Sequence, residues 1–164
     1  MPVLDLYRAC LNNAEELIKE ASILYDSACY ARAFFLGISA YEEVGKSQIV
    51  ADYFNGMVSK KEFDEAFQRH DVKSAYFSRY FQLDSKILGK ATIVYDKEKV
   101  KEHMNWRNAS LYVNCKAEYS AEEPSKLITA EDAKTVIEAV KKEISDIHIA
   151  SYTTERIGSA SFAK

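Results

Sequence analysis

The fold class predicted from this sequence is all-α, a single-domain antiparallel bundle of four long helices plus shorter ones. Three observations predict it. Gly and Pro together number 7 in 164 residues, about 4% against about 12% in average proteins, which disfavours folds built on many tight turns. Apolar residues recur three and four apart over most of the chain, the mark of amphipathic helices. No strand alternation is evident, and nothing repeats at a fixed period.

From Leu4 to Ser27 the stripe Leu6, Ala9, Cys10, Asn13, Leu17, Ile18, Ala21, Leu24 and Tyr25 reads as the first helix. A second, the longest and most apolar, runs from about Ala28 to Asn55, where Asn55-Gly56 supplies the stop. Ser59-Lys-Lys-Glu62 reads as a capping box that opens a short helix through Arg69. A further helix is expected from about Val72 to Leu88, with Tyr76, Phe77, Tyr80, Phe81 and Leu83 on or beside one face and Gly89 at its end. Residues 97–114 carry another register, and 115–128, rich in Lys, Glu and Ser with one Pro, is expected to be a loop and the best candidate for disorder. Thr129 caps a last helix from Ala130 to about Tyr152, with Ala133, Val136, Ile137, Val140, Ile144, Ile147 and Ala150 as its stripe. The domain is thus expected over 1–157, with 158–164 a frayed tail.

Composition narrows the function. The net charge is −3, from 22 basic and 25 acidic residues, and neither half is a polybasic tail, so contact with nucleic acid has to come from a local patch. No apolar run approaches the ~18 to 20 residues of a membrane-spanning helix, and the N-terminus lacks the pattern of a secretory signal. Cys10, Cys29 and Cys115 are widely spaced and odd in number, and read as reduced core thiols of a cytoplasmic protein. Templates for metal sites, Gly-rich phosphate loops and GxSxG hydrolases all fail, so no metal and no cofactor is expected.

Chemistry concentrates in three clusters. On the second helix, Ala31, Phe35, Ile38, Glu42, Gly45, Ile49 and Tyr53 share a face, which puts the Glu42 carboxylate inside an apolar stripe. A buried carboxylate is costly unless paired, so a basic or hydrogen-bonding partner is expected from another helix; the alternative is a surface pair between Glu42 and Lys46. Gly37 and Gly45 interrupt a strong helix at about 1 kcal/mol each relative to Ala, which suggests close approach of neighbouring helices. His70 and Lys73 lie one turn apart and can face one cleft, and the near-neutral pKa of His permits proton transfer. Arg107, Asn108 and Tyr112 close a helix with groups that bind phosphate or carboxylate. His103 and His148 sit among charges and read as ordinary surface or core residues.

Taken together, Tyr30-Ala-Arg-Ala-Phe-Phe-Leu through Ala40-Tyr-Glu-Glu-Val-Gly-Lys46, His70-x-x-Lys73, and Arg107-x-x-x-Leu111-Tyr112-Val113-Asn114 resemble the AbiV-type abortive infection family of the HEPN superfamily. The resemblance implies a helical HEPN bundle, often a homodimer, in prokaryotic antiphage defence, where many relatives cut RNA without metal. HEPN ribonucleases carry Arg, four to six residues, then His; here Tyr112, Val113 and Asn114 stand at those places. Tyr, with an ordinary pKa near 10, is a poor base at pH 7. The expected function is therefore a defence protein lacking the usual Arg-His pair, whose polar cleft of Glu42, Glu43, Lys46, His70, Lys73, Arg107, Asn108 and Tyr112 binds RNA, nucleotide or a phage or host protein. The alternative is a metal-independent ribonuclease with His70 and Arg107 as catalytic residues.

Overall fold

A computed structural model describes residues 2–70, 73, 79–83, 91–95 and 97–150. Its elements are α1 (Pro2–Asp26), α2 (Tyr30–Phe54), α3 (Lys60–Gln68), β1 (Arg79–Leu83), β2 (Ala91–Tyr95), α4 (Lys97–Ala109), β3 (Asn114–Cys115), a 3-10 turn (Ala117–Tyr119), β4 (Ala121–Glu122), α5 (Pro124–Leu127) and α6 (Ala130–Ala150). The fold is all-α, with two short hairpins.

Three residues separate α1 from α2, and Ala28 turns the chain there in the left-handed region at φ 58°. The two helices therefore pack antiparallel, and α6 lies against both. One core cluster joins Tyr7, Leu11, Ala14 and Ile18 of α1 to Ala40, Val44, Val50 and Ala51 of α2 and to Val140, Ile144 and Ile147 of α6. A second gathers Ala21, Ala31, Phe34 and Ile38 with Ile128, Ala133 and Ile137. α2 is thus central and buried around most of its circumference, as a helix with apolar residues on every side requires. The expected stripe of α6 is the buried one from Ala133 to Ile147, although Val136 is only partly buried. On α1 the buried stripe is rotated: Tyr7, Leu11 and Ala14 are inside, whereas Ala9 and Asn13 face solvent. The regular 7, 11, 14, 18, 21 spacing follows the four-then-three step of the helix.

Both interior glycines of α2 admit a neighbour. A Cβ on Gly37 would stand 2.7 Å from Val136 Cγ1 of α6, and one on Gly45 would stand 2.3 Å from the carbonyl oxygen of Lys73. α3 opens on the expected capping box, in which Ser59 Oγ accepts from Glu62 N at 3.3 Å and Glu62 Oε2 accepts from Ser59 N at 2.7 Å. Its Phe63 ring packs on Tyr53 at 4.8 Å and on Phe67 at 5.4 Å, fixing α3 over the end of α2.

Several expectations are corrected. The helix from Val72 to Leu88 is overturned where it can be compared, because Arg79–Leu83 is a strand paired antiparallel with Ala91–Tyr95, Phe81 opposite Ile93; its other residues, apart from Lys73, lie outside the described ones. Thr92, Ile93 and Val94 are β-branched and suit a pleated ladder. α4 stops at Ala109 rather than 114. The segment 115–128 is built rather than a plain loop: Asn114 and Cys115 pair with Glu122 and Ala121 around the 3-10 turn, and α5 follows. Only Cys10 is a core thiol, since Cys29 and Cys115 are exposed; all three are free. The end of the last helix at Tyr152 and the tail from 158 lie outside the described residues. No described helix is long and apolar enough to cross a membrane.

Candidate functional site

Glu42 stands midway along α2 on the face that α4 crosses, and only 5% of its surface is exposed. Two nitrogen-bearing side chains from separate segments, a guanidinium and an imidazole, meet its carboxylate. Arg107, in the last turn of α4, brings Nε to 3.0 Å from Oε1, and His70 brings Nδ1 to 2.7 Å from Oε2. The Nε–H does not point along the Arg107–Glu42 line, so this is an ion pair in which neither Nε nor Oε1 makes a hydrogen bond. The guanidinium also lies over the Phe35 ring, its Cζ 5.4 Å from the centroid. Phe35 and Glu42 are seven residues apart, hence on one face, so a single side of α2 supplies both the aromatic floor and the negative charge.

The expected burial of Glu42 against a basic partner is what the fold provides, and the alternative surface pair with Lys46 is overturned. Lys46 is bonded to Glu43 instead, and its Nζ lies 5.9 Å from the Phe67 centroid. Lys73 is buried, with 6% exposure. Burial pulls its pKa down, helped by Lys46 and opposed by Glu42 and Glu43, while Arg107 adds a smaller push downward. The Lys73 amide donates to Arg69 O at 3.1 Å, and this turn fits against α2 only because Gly45 has no side chain. The hydrogen atom of Gly45 thereby sets how closely the Lys73 backbone approaches α2.

Arg107 is held by its surroundings as well as its charge. Buried Ser110 donates Oγ–H to Arg107 O at 2.8 Å, and Arg32 Nη1 donates to Leu111 O at 3.0 Å, which ties the end of α4 to the first turn of α2. Asn108 accepts at its carbonyl from Leu111 N at 3.2 Å and Tyr112 N at 3.0 Å, closing the helix. The Asn108 and Tyr112 side chains are exposed, Tyr112 by 59%. Of the residues expected in the cleft, Glu42, His70 and Arg107 form the contact, Lys46 joins Glu43, Lys73 is buried nearby, and Asn108 and Tyr112 flank it toward solvent.

Sequence reading placed Phe35 on the face of Glu42 but singled out neither Arg32 nor His103 for the site. Arg32 stands ten residues before Glu42, about 80° round the helix, so no spacing marked it. His103 precedes Arg107 by one turn of α4, and its ring meets Tyr41 edge-on at 4.7 Å. Burial lowers its pKa, with Glu42 and Glu102 acting the other way. His148 lies on the outer surface, Nε2 2.6 Å from Glu15 Oε1. Cys10 of α1 is also buried, and its thiol is pushed up to about 11 by burial and then by Glu43, against Lys46 and Lys73.

A carboxylate on Nδ1 fixes the orientation of an imidazole and leaves Nε2 for an outside partner. The His70 side chain is 53% exposed, so the arrangement places an oriented nitrogen and a guanidinium around one buried charge. Among the described residues no group of three or more His, Cys, Asp or Glu side chains is placed to hold a metal ion. The family model described as AbiV, a HEPN family, matches residues 2–145. No curated protein and no solved structure matches the chain significantly.

Proposed function

The chain belongs to the AbiV family of HEPN domains, a membership that points to a defence role of the abortive-infection kind, and from it we propose that the cluster of Glu42, His70 and Arg107 binds RNA and cleaves it without metal in the cytoplasm. The observation that supports this reading is the meeting of His70 and Arg107 on the two oxygens of one carboxylate. His70 then fills the role of the histidine that this chain lacks after Arg107. With Nδ1–H held by Glu42, Nε2 accepts the proton of a ribose 2′-hydroxyl, whose oxygen attacks the adjacent phosphorus. Arg107 answers the charge that builds on the phosphate oxygens through its Nη atoms, as a planar fork does better than a point charge. The 5′-oxygen leaves with a proton from the imidazolium or from water, giving a 2′,3′-cyclic phosphate and a 5′-hydroxyl end.

The test is induction of the wild type, His70→Ala and Arg107→Ala in a bacterial host, together with purified protein on single-stranded RNA in excess chelator. Wild type is expected to stop growth and to fragment RNA while sparing a 2′-deoxy analogue, and both variants are expected to lose this. Intact RNA with every protein would overturn cleavage. If RNA binding then still depends on Arg107, the cleft is a binding site without chemistry.

A further inference from the structure

Arg32, Phe35 and Glu42 lie along the side of α2 on which the end of α4 rests. Arg107 covers Phe35 and Glu42, and Arg32 reaches the chain just after α4 at Leu111. Arg32 and the Phe35 ring beneath Arg107 are three residues apart, a rise of about 4.5 Å along the helix. The two arginines are thus successive cations on one track.

Beside Arg32 opens a pocket of about 360 Å³, lined by Cys29, Tyr30, Arg32, Val113, Glu123 and Ser125 among others. That volume is in the range of small-ligand sites, about 300 to 1,000 Å³. Its lining has the donors and acceptors of a nucleotide site. A guanidinium carries several N–H donors, and Arg32 spends Nη1 on Leu111 O, which leaves others for a phosphate. Glu123 does not neutralise Arg32, because its Oε1 is bonded to Lys126 Nζ at 2.6 Å; its second oxygen can accept from an exocyclic amino group. The Tyr30 ring is braced against Tyr25 at 5.4 Å and gives a base a fixed aromatic face, and Ser125 adds a hydroxyl.

We propose that this pocket is a nucleotide subsite that takes the residue of the RNA next to the one gripped by Arg107, a proposal that rests on the ribonuclease reading. It defines the substrate class. A base held in a pocket cannot remain stacked and paired, so the substrate is single-stranded RNA or an unpaired loop.

The experiment measures binding of AMP and of a single-stranded RNA pentamer by calorimetry at low salt, and the KM for RNA cleavage, for wild type, Arg32→Gln and Ser125→Phe. Arg32→Gln removes the charge, and Ser125→Phe fills the pocket without touching the tie to Leu111. Both are expected to weaken AMP about tenfold or more and to raise the KM for RNA in proportion. AMP that binds all three proteins equally, or none, overturns the subsite. RNA cleavage with an unchanged KM in both variants overturns it while leaving the ribonuclease reading in place. Loss of AMP binding in both variants, in a protein that cleaves no RNA, supports the pocket and removes the ribonuclease reading alone.

Discussion

At Glu42 a single residue decides how the site is assembled. It is 5% exposed and faces the Arg107 guanidinium and the His70 ring, so Glu42→Ala leaves Arg107 without its counter-charge and is expected to lower stability by about 1 to 4 kcal/mol. Glu15→Ala, at the surface pair with His148, is expected to cost under about 1 kcal/mol. Chemical denaturation of the two variants checks the difference, and equal losses would refute the assignment. Gly45 makes a sharper case. A Cβ there would lie 2.3 Å from a backbone carbonyl, whereas one on Gly37 would meet a methyl group of Val136 at 2.7 Å. Gly37→Ala gains about 1 kcal/mol of helix propensity but pushes on one methyl of a stiff β-branched side chain, while Gly45→Ala forces the Lys73 backbone off α2 and is expected to cost more, about 1 to 3 kcal/mol. Melting temperatures that fall by the same amount for both would contradict this. Glu42 and both glycines were legible in the sequence, because a charge or a hydrogen side chain in a strong apolar register is conspicuous. The resemblance put His70, Lys73 and Arg107 in the cleft of Glu42, but which of them would touch the carboxylate was not legible, since the two contacts span the folded chain.

His103 gives the site a pH dependence. Its folded pKa lies below the ordinary 6.5, chiefly because it is buried. The unfolded chain therefore takes up the proton first, so stability is complete above about pH 6.5 and falls as the pH drops through the folded pKa. Thermal melts from pH 7.5 to 5 are expected to show this loss in the wild type and a shallower one in His103→Gln. Identical slopes would rule His103 out as the source.

Elements were legible in proportion to how much of their pattern is local. The capping box at Ser59 is a four-residue signal and was found as expected. Ser59→Ala is expected to cost about 1 kcal/mol, seen as faster hydrogen exchange over the first turn of α3, and unchanged exchange would show that the packing of Phe63 and Phe67 alone holds the helix. The hairpin was not legible in the same way. Tyr80 and Phe81 fit a helical face as readily as a strand, and the decisive signal, the β-branched run Thr92-Ile93-Val94, lies about ten residues further along the sequence. Pairing Phe81 with Ile93 is a non-local choice that helix periodicity cannot express. Residues 115–128 were misread for a related reason: their ladder has two residue pairs, too few to produce alternation.

The whole molecule imposes two further expectations. Exposed Ile23, Met57, Tyr119 and Ile149 stand singly, as on ordinary monomers, and do not themselves call for a partner, but the AbiV kinship leads us to expect a homodimer of isologous symmetry. Light scattering near 18.6 kDa at micromolar concentration would refute it. The second expectation follows from charge. The chain carries −3 overall, so it exerts no general attraction on an anion, and on the proposed reading RNA has to be met by the local cations Arg107, Arg32 and Lys46, Lys73 being buried beneath them. Of these, Lys46 is matched by Glu43 and Arg107 by Glu42, which leaves the patch only modestly positive. Affinity is then expected to be weak and to fall steeply with salt, each phosphate contact adding about −0.7 to the slope of log K against log salt on a single strand. Arg107→Lys keeps the charge but loses the planar fork and the stacking on Phe35, so it is expected to weaken binding more than Tyr112→Phe, which removes one exposed hydroxyl. Titrations from low to high salt read both effects: a slope near zero, or Arg107→Lys binding as the wild type does, would mean that RNA does not meet the protein at Arg107.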